Sequence, residues 1–508
     1  MATMRREPCA ILALMLCAWL PHAQGQKLDL KPGINVTATA TTNAQAAGDG
    51  SRKDLVISTS PELSGSYEGA RSRVDGRLRV SNVHYVRDSQ PDQTLPDGEL
   101  ALKSVLVDQW GGLNASVQAS QTPATVLTRQ STVPGATDGY TTTLARFIPY
   151  IRHSFDADIQ LDAQLERSFV QSSRNTSSVG SPREDLQFTR HAVRLERRPV
   201  PVGTSLEWTG LRASALQENT VRAGASYALT EGLYPGLILG RDSIHAPRPG
   251  QPGTQDQQSG TIRGITLAWR PNERATLESR LERRVFGTGW KVDWNHRTPF
   301  FAWNIFSERE ASTYASSLGS PGNQTLRGLL DRMLTTNNPD VRSRSELVDK
   351  TIAQRGLNDQ MPPLLDPYSL TPTLRQTLQG RLVMMGQRNT VSLAAGMNKT
   401  ESLALNDLPP IGDQSLERYV DANFNRRLTP ITSLNAGVRW RHSTLTSNVT
   451  PNSTGRLRSL TWRGDISTRL SPQATATFGL RHQTSSGTQL NINTNDESAM
   501  YVGVGYRY

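Results

Sequence analysis

Beyond its first residues the sequence lacks cysteine and any apolar segment long enough to span a bilayer. Its two cysteines, Cys9 and Cys17, both precede residue 20. If that leader is removed, no thiol remains for a disulfide or for a metal site that needs cysteine. No later apolar run approaches the ~20 residues of a spanning helix, and the mean hydropathy is −0.48. These absences exclude a helical membrane protein and thiol chemistry.

The first 25 residues carry the pattern of a secretory signal peptide. Arg5 and Arg6 form a basic start, and residues 10–20 (AILALMLCAWL) form an apolar core that is too short to span. Small residues at 23–25 predict cleavage before Gln26. Leu16 stands before Cys17 where a lipoprotein signal has a small residue, so lipidation is rejected.

Lysine is also scarce, and arginine carries most of the net charge of +11. The arginines are dispersed, and an exported protein meets no nucleic acid in its normal work. The sequence therefore predicts no nucleic-acid partner. Anionic lipopolysaccharide or an anionic polysaccharide is the better counterpart, and ordinary solvated charge is the simpler interpretation.

What the sequence does contain is two-fold alternation of apolar and polar residues, which recurs from Lys27 to the C-terminus. In the last eleven residues one strand face carries the positions Met500, Val502, Val504, Tyr506 and Tyr508. Such alternation predicts strands with one apolar and one polar face. An apolar stripe that ends on two tyrosines is typical of a transmembrane strand, whose rings lie at the headgroup boundary. A terminal strand of a soluble β-sandwich is the alternative.

The connections between strands alternate in length, which favours a barrel over a sandwich. Short turns are predicted at 68–70, 111–112, 230–232, 271–273, 428–430 and 470–472. Long polar loops are predicted at 42–53, 87–98, 122–138, 171–183, 243–258, 403–415 and 486–495. Transmembrane barrels have tight periplasmic turns, long external loops and an even number of strands. Residues 26–508 are therefore predicted to form an all-β, transmembrane antiparallel β-barrel of about 22 strands (20–22).

Aromatic residues gather beside the predicted short turns, where an inner-leaflet girdle belongs. They are Trp110, Tyr150, Phe155, Tyr234, Trp269, Phe300, Phe301, Tyr506 and Tyr508.

Residues 312–374 break the alternation and form a helical insert. Leucine and methionine recur at helical spacing from Leu326 to Leu334, and a second helix is predicted from Val341 to Ile352. The insert follows a strand that runs outward, so it is either a plug folded into the lumen or an external loop. Its two apolar stripes favour the plug.

The chain resembles the outer-membrane barrel proteins associated with the PEP-CTERM/exosortase system. The residues that carry the resemblance are 54–71 (DLVISTSPELSGSYEGAR), 338–342 (NPDVR) through 355–357 (RGL) in the insert, and the closing strand. The resemblance implies an outer-membrane location in a Gram-negative cell and an association with exosortase and exopolysaccharide systems. It implies no catalytic residues.

A search for catalytic chemistry yields weak candidates only. His442 and His482 occupy equivalent places in a short internal repeat, 427–439 and 469–481. They are interpreted as rim histidines rather than as parts of a Ser/His or Asp/His set. The paired carboxylates Glu308 and Glu310 are expected to face solvent or cations. No cofactor or metal site is predicted.

The sequence thus predicts a non-enzymatic barrel that serves as a pore or secretion component. One alternative is an enzyme at the barrel rim that acts on lipid or surface polymer. The other is a surface anchor or adhesin. The expected partners are outer-membrane lipids and lipopolysaccharide, the barrel-assembly machinery, and exopolysaccharide or its export apparatus. The candidate assembly signal is Tyr501, Gly503, Tyr506 and Tyr508. The candidate lumen charges are Arg77, Arg79, Arg439, Arg441, Arg463 and Arg481, which predict a weak preference for anions.

Overall fold

The computed structural model describes most of the chain after the predicted leader. The described residues are 27–45, 52–123, 126–127, 133, 139–174, 184–213, 216–248, 255–313, 316, 326–335, 344, 347–348, 351–352, 372–403, 405, 413–447, 453–488 and 495–508. The predicted signal peptide, 1–25, lies outside them.

Strands with two-fold alternation dominate these residues. They are β1 (Lys27–Thr41), β2 (Asp54–Glu68), β3 (Ser72–Tyr85), β4 (Gln93–Val107), β5 (Gly111–Pro123), β6 (Gly139–Ser154), β7 (Ile159–Arg174), β8 (Glu184–Arg197), β9 (Val202–Ala213), β10 (Gln217–Tyr227), β11 (Leu233–Pro247), β12 (Gln255–Asn272), β13 (Ala275–Arg284), β14 (Gly287–Arg297), β15 (Phe301–Ser312), β16 (Thr373–Met385), β17 (Asn389–Ser402), β18 (Asp413–Arg427), β19 (Thr432–Ser447), β20 (Ser453–Arg469), β21 (Ala474–Gly487) and β22 (Asn495–Arg507). One helix, α1 (Leu326–Leu334), lies between β15 and β16.

Each strand pairs antiparallel with the next one along the chain, and the last strand closes on the first. The β1–β22 ladder runs from the pair Gly33 and Arg507 to the pair Thr41 and Ala499. The result is a closed sheet of 22 strands, in which every strand has a neighbour on both sides. The predicted fold class and strand number are confirmed.

The two ends of the barrel differ in their connections. At one end, here called the inner rim, β1 begins, β22 ends and the connections are short, such as 69–71, 108–110 and 470–473. The opposite end, the outer rim, carries the longer connections, including 42–53 and 313–372. Two outer connections, 214–216 and 285–286, are also short, so the predicted sorting by length has two exceptions.

Two of the predicted turns are wrong in position. Gly111 and Gly112 begin β5, and the preceding turn lies at 108–110, where Gln109 has a φ of 64°. These glycines serve close strand approach instead: a Cβ on Gly111 would lie 2.2 Å from the carbonyl oxygen of Tyr150. Likewise, residues 271–272 belong to β12, and the turn follows at 273–274.

Alternation sorts the side chains of the barrel into an apolar outside and a polar inside. Leu237, Leu239 and Ile265 on the outer face are 66%, 64% and 55% exposed. Water would oppose such exposure over a whole closed sheet, whereas lipid favours it, and a closed barrel satisfies every strand's backbone groups. The chain is a transmembrane β-barrel. Within the described residues, no helix has the length and apolar character required to cross a bilayer.

The aromatic residues predicted beside the short turns lie at the inner rim. Trp110 and Phe155 are in inner-rim turns and are 46% and 56% exposed, while Phe300 is 71% exposed. The rings of Tyr506 and Tyr508 contact each other edge to face, with centroids 5.0 Å apart. These rings form the inner aromatic girdle of the barrel.

Candidate functional site in the barrel lumen

Five arginines project from the inner face of β16, β19, β20 and β21 and form what we call the arginine wall: Arg381, Arg439, Arg441, Arg463 and Arg481. Their neighbours in sequence point the other way, as shown by Trp462 and Leu480, which are 51% and 55% exposed to the outside. Arg463 and Arg481 lie directly opposite each other across the β20–β21 ladder. The register therefore brings five guanidinium groups to one side of the lumen, where Asp465 and Glu497 also face inward.

Two members of the arginine wall are neutralised by carboxylates on β18. Arg439 Nε lies 2.8 Å from Asp421 Oδ2, and Arg441 Nε lies 2.7 Å from Glu417 Oε1. Asp421 and Glu417 are both buried. A buried pair of this kind fixes the positions of its side chains, because separating it leaves an uncompensated charge.

Arg463 and Arg481 have polar and aromatic partners, but no described carboxylate lies within ion-pair distance of either. Arg463 Nη2 donates to Asn423 Oδ1, and the Arg481 guanidinium lies 4.9 Å from the centroid of the Tyr501 ring. Like charges directly opposite each other on a sheet destabilise it. This pair therefore favours an anion between or near the two guanidinium groups.

Arg381 extends the arginine wall onto β16. It is only 4% exposed, and its Nε and Nη1 atoms are buried with no hydrogen-bond partner among the described residues. Buried guanidinium N–H groups without acceptors are costly, so a water molecule or an anion would satisfy them. The sequence gives little signal for this arginine, because the alternation of β16 is weaker than that of β19.

The other two predicted lumen charges lie inside the barrel but outside the arginine wall. Arg79 Nη2 forms an ion pair with Asp97 Oδ1 at 3.1 Å. Arg77 is exposed on the same face of β3 and lies opposite Glu99 on β4. Both arginines therefore stand beside acidic residues, and they contribute less net charge to the lumen than the arginine wall does.

A second charged cluster lies across the lumen, on the inner face of β9 to β13, and its arginines all have carboxylate partners. Arg222 contacts Glu282 at 2.8 Å and Glu207 at 2.9 Å. Arg284 contacts Asp242 at 2.8 Å and Glu218 at 2.6 Å. This network ties adjacent strands together and offers little free positive charge, because each arginine there has acids on two sides.

The loop between β5 and β6 enters the lumen from the outer rim. Val126 O accepts a hydrogen bond from Arg441 Nη2 at 3.0 Å, and Leu127 and Val126 pack against Leu457 on β20. In the same loop Val133 packs on the inner side of β2, β3 and β4. The described residues of this loop therefore lie inside the lumen, against the arginine wall and against the wall formed by β2 to β4.

Helix α1 lies against the inner wall near the inner rim. Its face Leu326, Leu329, Leu330 and Met333, each at most 3% exposed, packs on two inward residues that are paired in the β15–β16 ladder. Those residues are Ala302 and Val383. Since the insert starts at the outer rim, it reaches down through the lumen to make this contact.

Polar contacts fix the same segment. Arg344 Nε lies 2.8 Å from Asp331 Oδ1 on α1, and Arg332 donates to Asn295 Oδ1 on β14. Val348 and Ile352, from the predicted second helix, join the apolar cluster of α1. Most of that second segment, 341–352, lies outside the described residues.

The four residues of the predicted assembly signal occupy both faces of β22. Tyr501 points inward, and its hydroxyl donates to Asp465 Oδ1 at 3.3 Å. Tyr506 and Tyr508 lie at the inner rim, where Tyr506 donates to Gln473 Oε1 at 2.8 Å. Gly503 pairs with Thr37 on the neighbouring strand β1, and a Cβ on Gly503 would lie 3.1 Å from Thr37 Oγ1. Only Tyr501 belongs to the lumen site.

The rim histidines do not assemble a catalytic set among the described residues. His482 Nδ1 lies 2.9 Å from Ser498 Oγ on the outer face of the barrel, but no described carboxylate pairs with His482. His442 lies between Arg418 and Arg458 on the neighbouring strands. Glu308 faces inward and binds Lys291 Nζ at 3.0 Å. No group of described side chains could hold a metal ion.

Comparison with known proteins finds no relative by sequence. No protein-family model and no curated protein matches the chain. Among solved structures, the outer membrane protein opdK from Pseudomonas aeruginosa covers 94% of this chain and 99% of its own, at 10% identity and a TM-score of 0.36. The siderophore receptor PirA from Acinetobacter baumannii covers 94% of this chain and 80% of its own, at 7% identity and a TM-score of 0.44. The ferric citrate transporter FecA covers 94% and 79%, at 9% identity and a TM-score of 0.41.

Proposed function

We propose that this protein is an outer-membrane channel that favours anions, with a lumen restricted by the helical insert and by the β5–β6 loop. The observation that carries the proposal is the opposed pair Arg463 and Arg481, which has no described carboxylate partner. Fixed positive charge on a pore wall lowers the barrier for anions. The lipid-facing exterior and the closed sheet support the membrane location, and the predicted signal peptide supports export.

The β5–β6 loop and helix α1 both occupy part of the lumen, which supports a selective channel rather than a wide, unselective pore. The β5–β6 loop contacts the arginine wall directly through Val126, and α1 covers part of the wall near the inner rim. A solute that follows the wall therefore passes within reach of the arginines. The arginines suit anionic solutes, such as carboxylates or short acidic sugars.

The decisive experiment is conductance of the purified barrel in a planar bilayer. The variant Arg463→Gln/Arg481→Gln removes both charges and keeps polar side chains of similar reach. We expect the anion-to-cation permeability ratio to fall by at least about twofold, because a guanidinium acts strongly on an ion a few ångströms away. Arg426→Gln is the matched control, since this arginine is exposed on the outer face of β18 near the inner rim. Equal ratios in all three proteins would contradict the proposal.

We further propose that the channel serves exopolysaccharide-linked export in cells that carry an exosortase system. The resemblance of 54–71, of the insert and of the closing strand supports this link. Deletion of the gene should reduce the exopolysaccharide at the cell surface while its cytoplasmic precursor accumulates. Normal surface polymer in the deletion strain would contradict the link and leave the channel proposal intact.

A further inference from the structure

We propose that the outer face of β18, β19 and β20 binds the phosphate groups of an outer-leaflet phosphorylated glycolipid, lipopolysaccharide. The site is a group of basic side chains near the outer rim that we call the outer basic patch: Arg418, His442, Arg456 and Arg458. It faces the membrane exterior and is separate from the lumen site. It is therefore independent of the channel proposal.

The strand register places these basic residues side by side. Arg418 lies opposite His442, and His442 lies opposite Arg458 on the next ladder. Arg456 is on the same face of β20, two residues closer to the outer rim. The three arginines are exposed and His442 is partly buried. Three arginine charges grouped on one outward face repel one another, so an external anion at the patch stabilises the arrangement.

No carboxylate of the described chain neutralises the patch. Outward positions around it carry Gln414, Leu416, Thr444, Thr484 and Ser486. The acid beside Arg418 in the sequence, Glu417, points into the lumen and pairs with Arg441. No ion pair or hydrogen bond is described for the side chain of any of the three patch arginines. On β18, β19 and β20 the described acids at this level thus face inward, whereas the patch arginines face outward.

The row just below the patch identifies the kind of ligand. Val420, Trp440 and Leu460 lie opposite one another, one same-face step toward the membrane centre. Val420 is 47% exposed, and Trp462, one step further down, is 51% exposed. Same-face residues are about 7 Å apart along a strand. A ligand that fills both rows has an acyl part and, about 7 Å above it, anionic groups.

A second group on the opposite side of the barrel repeats the arrangement. Arg263 lies directly opposite Arg283 on the β12–β13 ladder, and Arg241 projects from the same outer face of β11. All three are exposed, and Leu239 and Leu281, at 64% and 47% exposed, lie just below them. Basic residues above lipid-facing ones at two separate places point to the lipid layer rather than to one soluble partner.

The test compares the wild type with Arg418→Gln/Arg456→Gln/Arg458→Gln and with the control Arg426→Gln. Arg426 is on the same outward face of β18 as Arg418 but near the inner rim, so it changes charge without touching the patch. Affinity for diphosphorylated lipid A in mixed micelles is measured by titration, and heat-modifiability verifies that each barrel is folded. At about fivefold per arginine, the triple variant should lose roughly a hundredfold in affinity, while the control stays within about twofold.

Further arms of the experiment distinguish the source of the anion. Dephosphorylated lipid A should bind the wild type at least tenfold more weakly. Phosphatidylglycerol micelles and inorganic phosphate should bind it weakly and without dependence on the three arginines. Undiminished lipid A binding by the triple variant would overturn the proposal. So would equal, arginine-dependent binding of phosphatidylglycerol or free phosphate, because either would assign the patch to another anion.

Discussion

Substitution of Leu330 by Asp should release helix α1 from the barrel wall. Leu330 is fully buried between the helix and the inward side chains Ala302 and Val383. Truncation of such a leucine to alanine costs about 2–5 kcal/mol, and an unpaired carboxylate in the same contact costs several kcal/mol more. A helix of nine residues has little stability of its own in water. In the Leu330→Asp variant, helix α1 should therefore no longer stay docked against the barrel wall.

The expected change in conductance follows from the dimensions of the lumen. Twenty-two tilted strands about 4.8 Å apart enclose a sheet about 40 Å across, and side chains leave a width of about 30 Å, or about 700 Å². A helix of this length obstructs about 80 Å² end-on and about 140 Å² side-on. Loss of α1 alone should raise single-channel conductance by about 10–20%, and by more if the rest of the insert leaves with it.

The assay has two parts and one control. Conductance is measured in planar bilayers, and cleavage of the insert by an external protease is measured on intact cells. Leu330→Met, which keeps an apolar side chain of similar volume in the same contact, should change neither. The wild type should resist cleavage between 318 and 368, and Leu330→Asp should not. If the wild type is cleaved there as readily as the variant and their conductances agree within 5%, the docking argument is wrong.

Four further outcomes are expected. Replacement of 318–368 by a short Gly/Ser linker should leave the barrel folded and raise conductance by more than the loss of α1 alone; an unchanged conductance would show that the insert does not limit flow. Tyr508→Ser should prevent membrane assembly because the closing strand loses its terminal ring, and normal outer-membrane levels of heat-modifiable protein would refute this. Gly479→Ala should lower the free energy of unfolding by about 1–3 kcal/mol, since a Cβ there would lie 2.3 Å from Tyr501 Cζ; an unchanged midpoint of unfolding would contradict it. Asp156→Ala should lower the melting temperature at about pH 7, by a difference that shrinks as the pH falls below about 3.9, and an acid-insensitive difference would refute a role for the ionised Asp156 carboxylate.

The pH dependence of the Asp156 variant has a defined sign. The backbone N–H groups of Asp158 and Ile159 donate to the Asp156 carboxylate, both at 2.8 Å, and hold its pKa below the ordinary value. A lowered pKa in the folded state means that the contribution to stability is present above the unfolded value of about 3.9. It is lost as the pH falls through the folded value. The wild type alone should therefore lose stability from this turn on acidification.

The sequence was sufficient for the barrel because the alternation of side chains is a local signal. Lipid-facing Met500 and Val502 alternate with inward Tyr501 in the printed residues themselves, and the helical spacing from Leu326 to Leu334 is equally local. Both the strand number and this helix are confirmed. Whether the helix restricts flow stays a prediction.

The shape of the lumen could not be predicted, because it depends on contacts between distant residues. Val126 lies in a polar loop with no periodic pattern, yet it meets Arg441, 315 positions away. The partners of Arg222, such as Glu282, become neighbours only after three hairpins have formed. Likewise, Arg463 and Arg481 were predicted to face inward, but their direct opposition follows from the β20–β21 register, which no short segment encodes.

The reversal potential of the wild-type channel in a tenfold salt gradient tests the central claim most directly. Perfect selectivity for one monovalent ion gives about 59 mV at 25 °C, and the sign reports which ion crosses. The arginine wall predicts a potential of the anion sign with a magnitude well below that limit, and a shift toward zero in Arg463→Gln/Arg481→Gln. A potential of the cation sign in the wild type would contradict the account.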